Sequence, residues 1–170
     1  MTNPIVPSID VIAQKAVDIL LQSGNHEPFL FIFTMSESMV APLAFIPETT
    51  DEKALVMTII AQEARKQSQS NVLTDIFMVT EAWMLNTEKS AEDLGDRRIS
   101  EHPDRVEILA VTHFSVRQNK AGMRIYEMKR NAKGELVEIV ANATAGSDLQ
   151  EVRSYLLEAF VAGWNALPLS

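Results

Sequence analysis

The sequence predicts an α+β fold: a mainly antiparallel sheet of five to six strands with about three helices, in the order α-β-β-α-β-β-β-(β)-α. Three observations carry that expectation. Capped, helix-periodic stretches open the chain, recur after Thr49 and close it; alternating apolar runs fall between them; and the last strands follow one another with only short turns. Helices and strands that are segregated in this way build an antiparallel sheet with helices packed on it rather than a parallel doubly wound sheet.

Ser8 can cap a first helix whose apolar residues Ile9, Ile12, Ala16, Ile19 and Leu20 recur at helical spacing, with Gly24 at its end. Phe29 to Phe33 is wholly apolar, and a second apolar run from Met39 to Ile46 ends at Pro47, which makes a strand pair. Pro42 has no N–H to give to a ladder, so the second strand belongs at an edge or carries a bulge.

Thr49 with Glu52 forms a capping box for a helix to about Gln69, with Leu55, Val56, Ile59 and Ile60 expected inward and Arg65, Lys66 and Gln67 outward. Thr74 to Leu85 alternates with apolar residues on both faces, the pattern of a central strand. Val106 to Phe114, Met123 to Arg130 and Leu136 to Val140 make a meander around turns at Asn119 to Gly122 and at Lys133-Gly134. Asp148 with Glu151 opens a closing helix whose Leu149, Val152, Leu156, Phe160 and Trp164 share one face.

At 170 residues the chain has the length of one domain, read as 1–170 with a long charged loop at 86–104. Met1 to Asp10 lacks the basic and apolar regions of a signal peptide, and no apolar run is long enough to cross a membrane. A cytoplasmic protein with no membrane partner is therefore expected. The absence of cysteine excludes disulfides, thiolate nucleophiles and cysteine-ligated metals. A net charge of −8 opposes the electrostatic term on which nucleic-acid binding depends, so no nucleic-acid partner is expected.

Pro103-Asp104 followed by Glu127-Met128-Lys129 resembles the PD-(D/E)xK nuclease pattern over those five positions. The resemblance implies that Asp104 and Glu127 hold Mg²⁺ while Lys129 orients water. A turn centred between Asn119 and Lys120 would pair Glu127 with Thr112, setting Asp104 roughly 25 Å away at about 3.3 Å per residue, which disfavours a shared ion. His26, His102 and His113 lack ligand-pair spacing, and glycine-rich phosphate loops and nucleophile-elbow motifs are absent. No cofactor and no metal site are expected.

Two places could carry acid–base chemistry. Glu81 interrupts the apolar series Phe77, Val79, Trp83, Leu85, and a buried carboxylate there must be paired or protonated. Its other placement is where the face emerges at the sheet rim, hydrogen-bonded to a neighbouring strand's side chain. Glu101-His102-Pro103-Asp104-Arg105 concentrates titratable groups where a loop meets a strand, although Pro103 could simply stiffen that junction. Glu81, His102 and Asp104 are thus the candidate catalytic residues of a small enzyme working beside the 86–104 loop.

The competing expectation is a non-enzymatic interaction or assembly protein. Phe29, Phe31 and Phe33 on one strand face and Leu30 and Ile32 on the other exceed what three helices would cover, so a homo-oligomer formed through an apolar sheet face is expected. The 86–104 loop, with little to give a core, is expected to be mobile and could meet a protein partner.

Overall fold

The computed structural model describes residues 3–44, 46–85, 95, 98–142 and 147–166, the side chains of 147–153 excepted. Their elements run α1 (Ile9–Ser23), β1 (Phe29–Thr34), β2 (Ser38–Pro42), α2 (Thr50–Gln67), β3 (Leu73–Leu85), β4 (Arg105–Ser115), β5 (Lys120–Arg130), β6 (Leu136–Ala141) and α3 (Ser147–Asn165). A short 3-10 turn at Ile99–Glu101 precedes β4. The six strands form one sheet ordered β2-β1-β3-β4-β5-β6, antiparallel at every junction.

That order follows from local sequence. β1 and β2 close as a hairpin, α2 returns the chain over the sheet, and β3 pairs with the free side of β1 before the meander adds β4 to β6. β2 therefore lies at an edge, where Pro42 costs the ladder nothing.

The helices divide between the two faces. α2 and α3 cover one, burying Leu30, Ile32, Ile76, Met78 and Phe114 against Leu157, Phe160 and Trp164. α1 covers the other, where Ile12, Ala13, Ala16 and Leu20 meet Phe33, Phe77, Val79, Leu109 and Val111. The three helices thus cover more of the doubly apolar sheet than a count of its phenylalanines suggests, because they are shared between its faces.

Caps fall where the side chains place them. Ser8 accepts from the Val11 amide, Gly24 takes the left-handed conformation after α1, and Thr49 accepts from the Glu52 amide. The inward stripes differ from expectation. On α1, Ile19 points outward and the buried set is Ile12, Ala13, Ala16 and Leu20. On α2, Leu55 and Ile59 are exposed by 60% and 50%, while Ala54, Met57, Ala61 and the expected-outward Arg65 are buried.

The cause on α2 is its closeness to α3. A Cβ on Gly163 would lie 2.7 Å from the Thr58 carbonyl oxygen, and the Thr58 hydroxyl donates to Ala159 O at 3.4 Å. Helices that approach so closely meet through small residues, so bulky ones turn away. Arg65 stays inside because its guanidinium lies 5.7 Å from the centre of the Trp164 ring.

The β4–β5 register also differs. Glu127 stands opposite Ile108, not Thr112, because Val116 to Asn119 form the turn and Ser115 pairs with Lys120. Asn119 adopts φ 49°, supplying the left-handed residue itself, and Gly122 lies within β5 opposite His113. The first turn of β1–β2 is tied down from outside: hydrogen bonds from the Ser68 hydroxyl and the Gln69 amide hold Glu37 below the usual carboxylate range.

The expectation of a mobile, partner-facing loop concerns 86–104, of which 86–94, 96 and 97 lie outside the described residues. The described remainder includes the 3-10 turn and a buried His102. The Asp148–Glu151 capping box likewise rests on side chains outside the described set. No helix among the described residues is long and apolar enough to cross a membrane.

Candidate functional site

α1 is fastened to β5 at both ends. Asp10 in its first turn pairs with Arg124 at 2.8 Å, and Gly24 O beyond its last turn accepts from Arg130 Nη1 at 2.9 Å. β5 lies three strands from β1, or about 14 Å at about 4.8 Å per strand, while a helix with its side chains is about 10–12 Å across. The helix therefore leaves the β1–β2 end of its face thinly covered.

The side chains there behave accordingly. Phe33 is buried with its ring 5.8 Å from that of Phe77, whereas Phe29 and Phe31 are only half-buried. Val40, directly opposite Phe31, is 58% exposed. Phe29, Phe31 and Val40 make a strip of apolar sheet that ends at β2, the edge strand among the described residues.

That edge is also bare of charge. The Thr34 amide donates to Glu37 O and the Leu43 amide to Pro28 O, so residues 39, 41 and 43 turn their backbone groups toward β1. Ser38, Val40 and Pro42 turn theirs outward. Natural edges are commonly blunted by charges or bulges. β6 has both, with the Lys129–Glu138 ion pair at 3.0 Å and a register shift between Lys129 and Arg130. From Ser38 to Pro47 no residue is charged.

On the same face, beyond the end of α1, the charged residues satisfy one another. Arg130 binds Glu107 through two nitrogens at 2.8 and 3.0 Å and reaches Gly24 O and Gly134 O with a third. The Glu107 hydrogen bonds, with Glu81 nearby, hold Arg130 firmly protonated. A shallow groove of 540 Å³ passes Leu21, Gly24, Arg130, Gly134 and Leu136, but this arginine already uses four of its five donors there.

Glu81, in β3 just past the end of its pairing with β1, accepts a hydrogen bond from the His26 amide. Two residues on, Trp83 is 41% exposed with the Arg105 guanidinium 4.9 Å from its ring centre. His102 and Asp104 are brought together, the Asp104 amide donating to His102 Nδ1 at 3.0 Å. That bond fixes the Nδ1 lone pair inward on the backbone. Glu81 is not brought to them: it pairs with Leu109, about four rungs or roughly 13 Å from the rung where Arg105 begins β4.

His113 stacks on Phe77 at 4.3 Å and bonds Asp75 at 2.9 Å. Asp75 and the Glu107–Arg130 pair were not singled out by sequence; Asp75 lies within an apolar run and Glu107 among alternating strand residues, with no spacing signal to mark either.

The corrected register brings Asp104 closer to Glu127 than expected, about four residues or roughly 13 Å along β4 instead of roughly 25 Å. Two ligands of one ion still cannot be that far apart, and Glu127 accepts from the Asn142 side-chain Nδ2 at 2.8 Å. Among the described residues no three histidine or acidic side chains converge as a metal site.

Compared with family models, with characterised proteins and with solved structures, the chain matches none. What the β1–β2 end offers is apolar area next to backbone donors and acceptors.

Proposed function

We propose that this chain is a non-enzymatic assembly protein that associates with further copies of itself through the thinly covered β1–β2 end of its sheet. The supporting observation is the strip of Phe29, Phe31 and exposed Val40 running to an uncharged edge in a chain whose net charge is −8. A net negative charge opposes the approach of two copies, and an uncharged apolar margin is a place where that repulsion is weak. An acid–base enzyme is the weaker reading, because Glu81 is engaged by His26 and stands apart from His102 and Asp104. We further propose that the assembly is cytoplasmic, the location expected from the sequence.

Static light scattering over a tenfold dilution at micromolar concentration tests the reading. We expect a mass at or above twice 18.9 kDa at the upper end, falling on dilution. A mass of one chain throughout would overturn it.

A further inference from the structure

We infer that two copies join by antiparallel pairing of β2 with β2 about a two-fold axis through Val40, continuing the sheet across both molecules. This rests on the self-association reading and specifies its geometry. A two-fold axis pairs a strand edge with itself, so the edge must complement its own donors and acceptors. The outward groups of β2 do so. Val40 opposite the second copy's Val40 exchanges two N–H to C=O bonds, because its amide and carbonyl both face away from β1.

The next outward pair sets Ser38 opposite Pro42. There the Ser38 amide donates to the Pro42 carbonyl, and the reverse bond is missing because proline has no N–H. Four bonds therefore join the two edges. Pro42 ends the ladder on each side, and so limits the contact to this one short register.

Both sheet faces favour the same arrangement. On the α1 face, Val40 meets Val40 between two copies of Phe31, merging two half-covered strips into one ribbon. On the other face, α2 lies nearest the β2 edge and α3 lies inside it. Thr58 faces α3, and at 100° per residue Val56 and Ile60 stand about 160° round the helix from it. Both are half-buried, on the flank of α2 that pairing would turn toward the second copy's α2. Glu63, on the outer side of α2, is already neutralised by Lys66 at 2.6 Å. The opposite edge, β6, has no such design: its bulge and its Glu138 interrupt a ladder.

The absence of cysteine makes single-cysteine variants clean reporters. Opposed residues of a hydrogen-bonded antiparallel pair have Cα atoms about 5.5 Å apart, within disulfide reach. Mild oxidation of Val40→Cys is expected to link most chains as a covalent dimer, while Val137→Cys, 61% exposed on β6, stays largely unlinked. Val40→Pro removes the two central donors without touching the β1 ladder, and its mass is expected to fall to that of one chain with its circular dichroism unchanged. If Val40→Pro does not fold, Val40→Lys, which sets two ammonium groups face to face, reads the same dissociation.

A wild-type dimer whose Val40→Cys variant does not link, or whose folded Val40→Pro or Val40→Lys variant keeps the dimer mass, would overturn the pairing and leave self-association standing. A monomeric wild type would overturn both.

Discussion

Gly163→Leu is expected to prevent stable folding of the α2–α3 layer, and Gly163→Ala to destabilise the protein by about 1–3 kcal/mol, the usual cost of overpacking. Even alanine's Cβ would stand 2.7 Å from Thr58 O and 2.8 Å from Thr58 Cα. Those atoms are backbone and cannot swing aside. The effect opposes helix propensity, by which alanine in a helix interior gains about 1 kcal/mol over glycine. Urea unfolding of the alanine variant reads the balance: a midpoint below wild type is expected, and one above it would show that the helices are not locked together at this point.

Trp164→Ala should cost about 3–5 kcal/mol, near the top of the range for core truncations. Trp164 is fully buried, stacks on Phe160 at 6.3 Å, and donates from Nε1 to Asn71 O at 3.1 Å. It also carries the buried Arg65 on its ring. Removing it leaves a cavity, an unmatched carbonyl and a buried cation without its ring. Trp164→Phe keeps a ring for Arg65 and loses the donor to Asn71, so it should cost less than the alanine. For a chain of this length the alanine lowers the melting temperature by about 6–20 °C. Equal losses for alanine and phenylalanine would place the whole effect in the Asn71 bond.

What the sequence made legible was whatever it encodes locally. Ser8, Thr49 and Gly24 marked helix ends because capping is a matter of one side chain or one φ angle, and Pro42 marked an edge because a missing donor is tolerated only there. The apolar alternation of residues 74–85 marked a central strand for the same reason. The rotation of α2 was not legible, since periodicity counts Leu55 and Ile59 as core while the contact with α3 selects for size. Ala54, Ala61 and Gly163 give the complementary signal, but only once the two helices are known to touch.

The β4–β5 register failed on a single residue. Gly122 looked like the turn glycine, and Asn119 took the left-handed position instead, moving the hairpin centre by two residues. The candidate site was half legible. The uncharged run from Ser38 to Pro47 could be read directly, whereas the thin cover of Phe29 and Phe31 depends on Arg124 and Arg130 tethering α1 to β5, which no local pattern predicts. Glu81 was legible as a charge on an apolar strand face, but its partner, the backbone amide of His26, lies 55 residues away.

Amide exchange at Val40 tests the β2 assembly most directly. In a single copy the Met39 and Ala41 amides are bonded to β1 while the Val40 amide faces solvent, so the strand should alternate between slow and fast exchange. At high protein concentration the account predicts that the Val40 amide slows to match its neighbours, and that dilution restores the fast rate while Met39 and Ala41 stay slow. A Val40 amide exchanging at the rate of an exposed group at every concentration would contradict it.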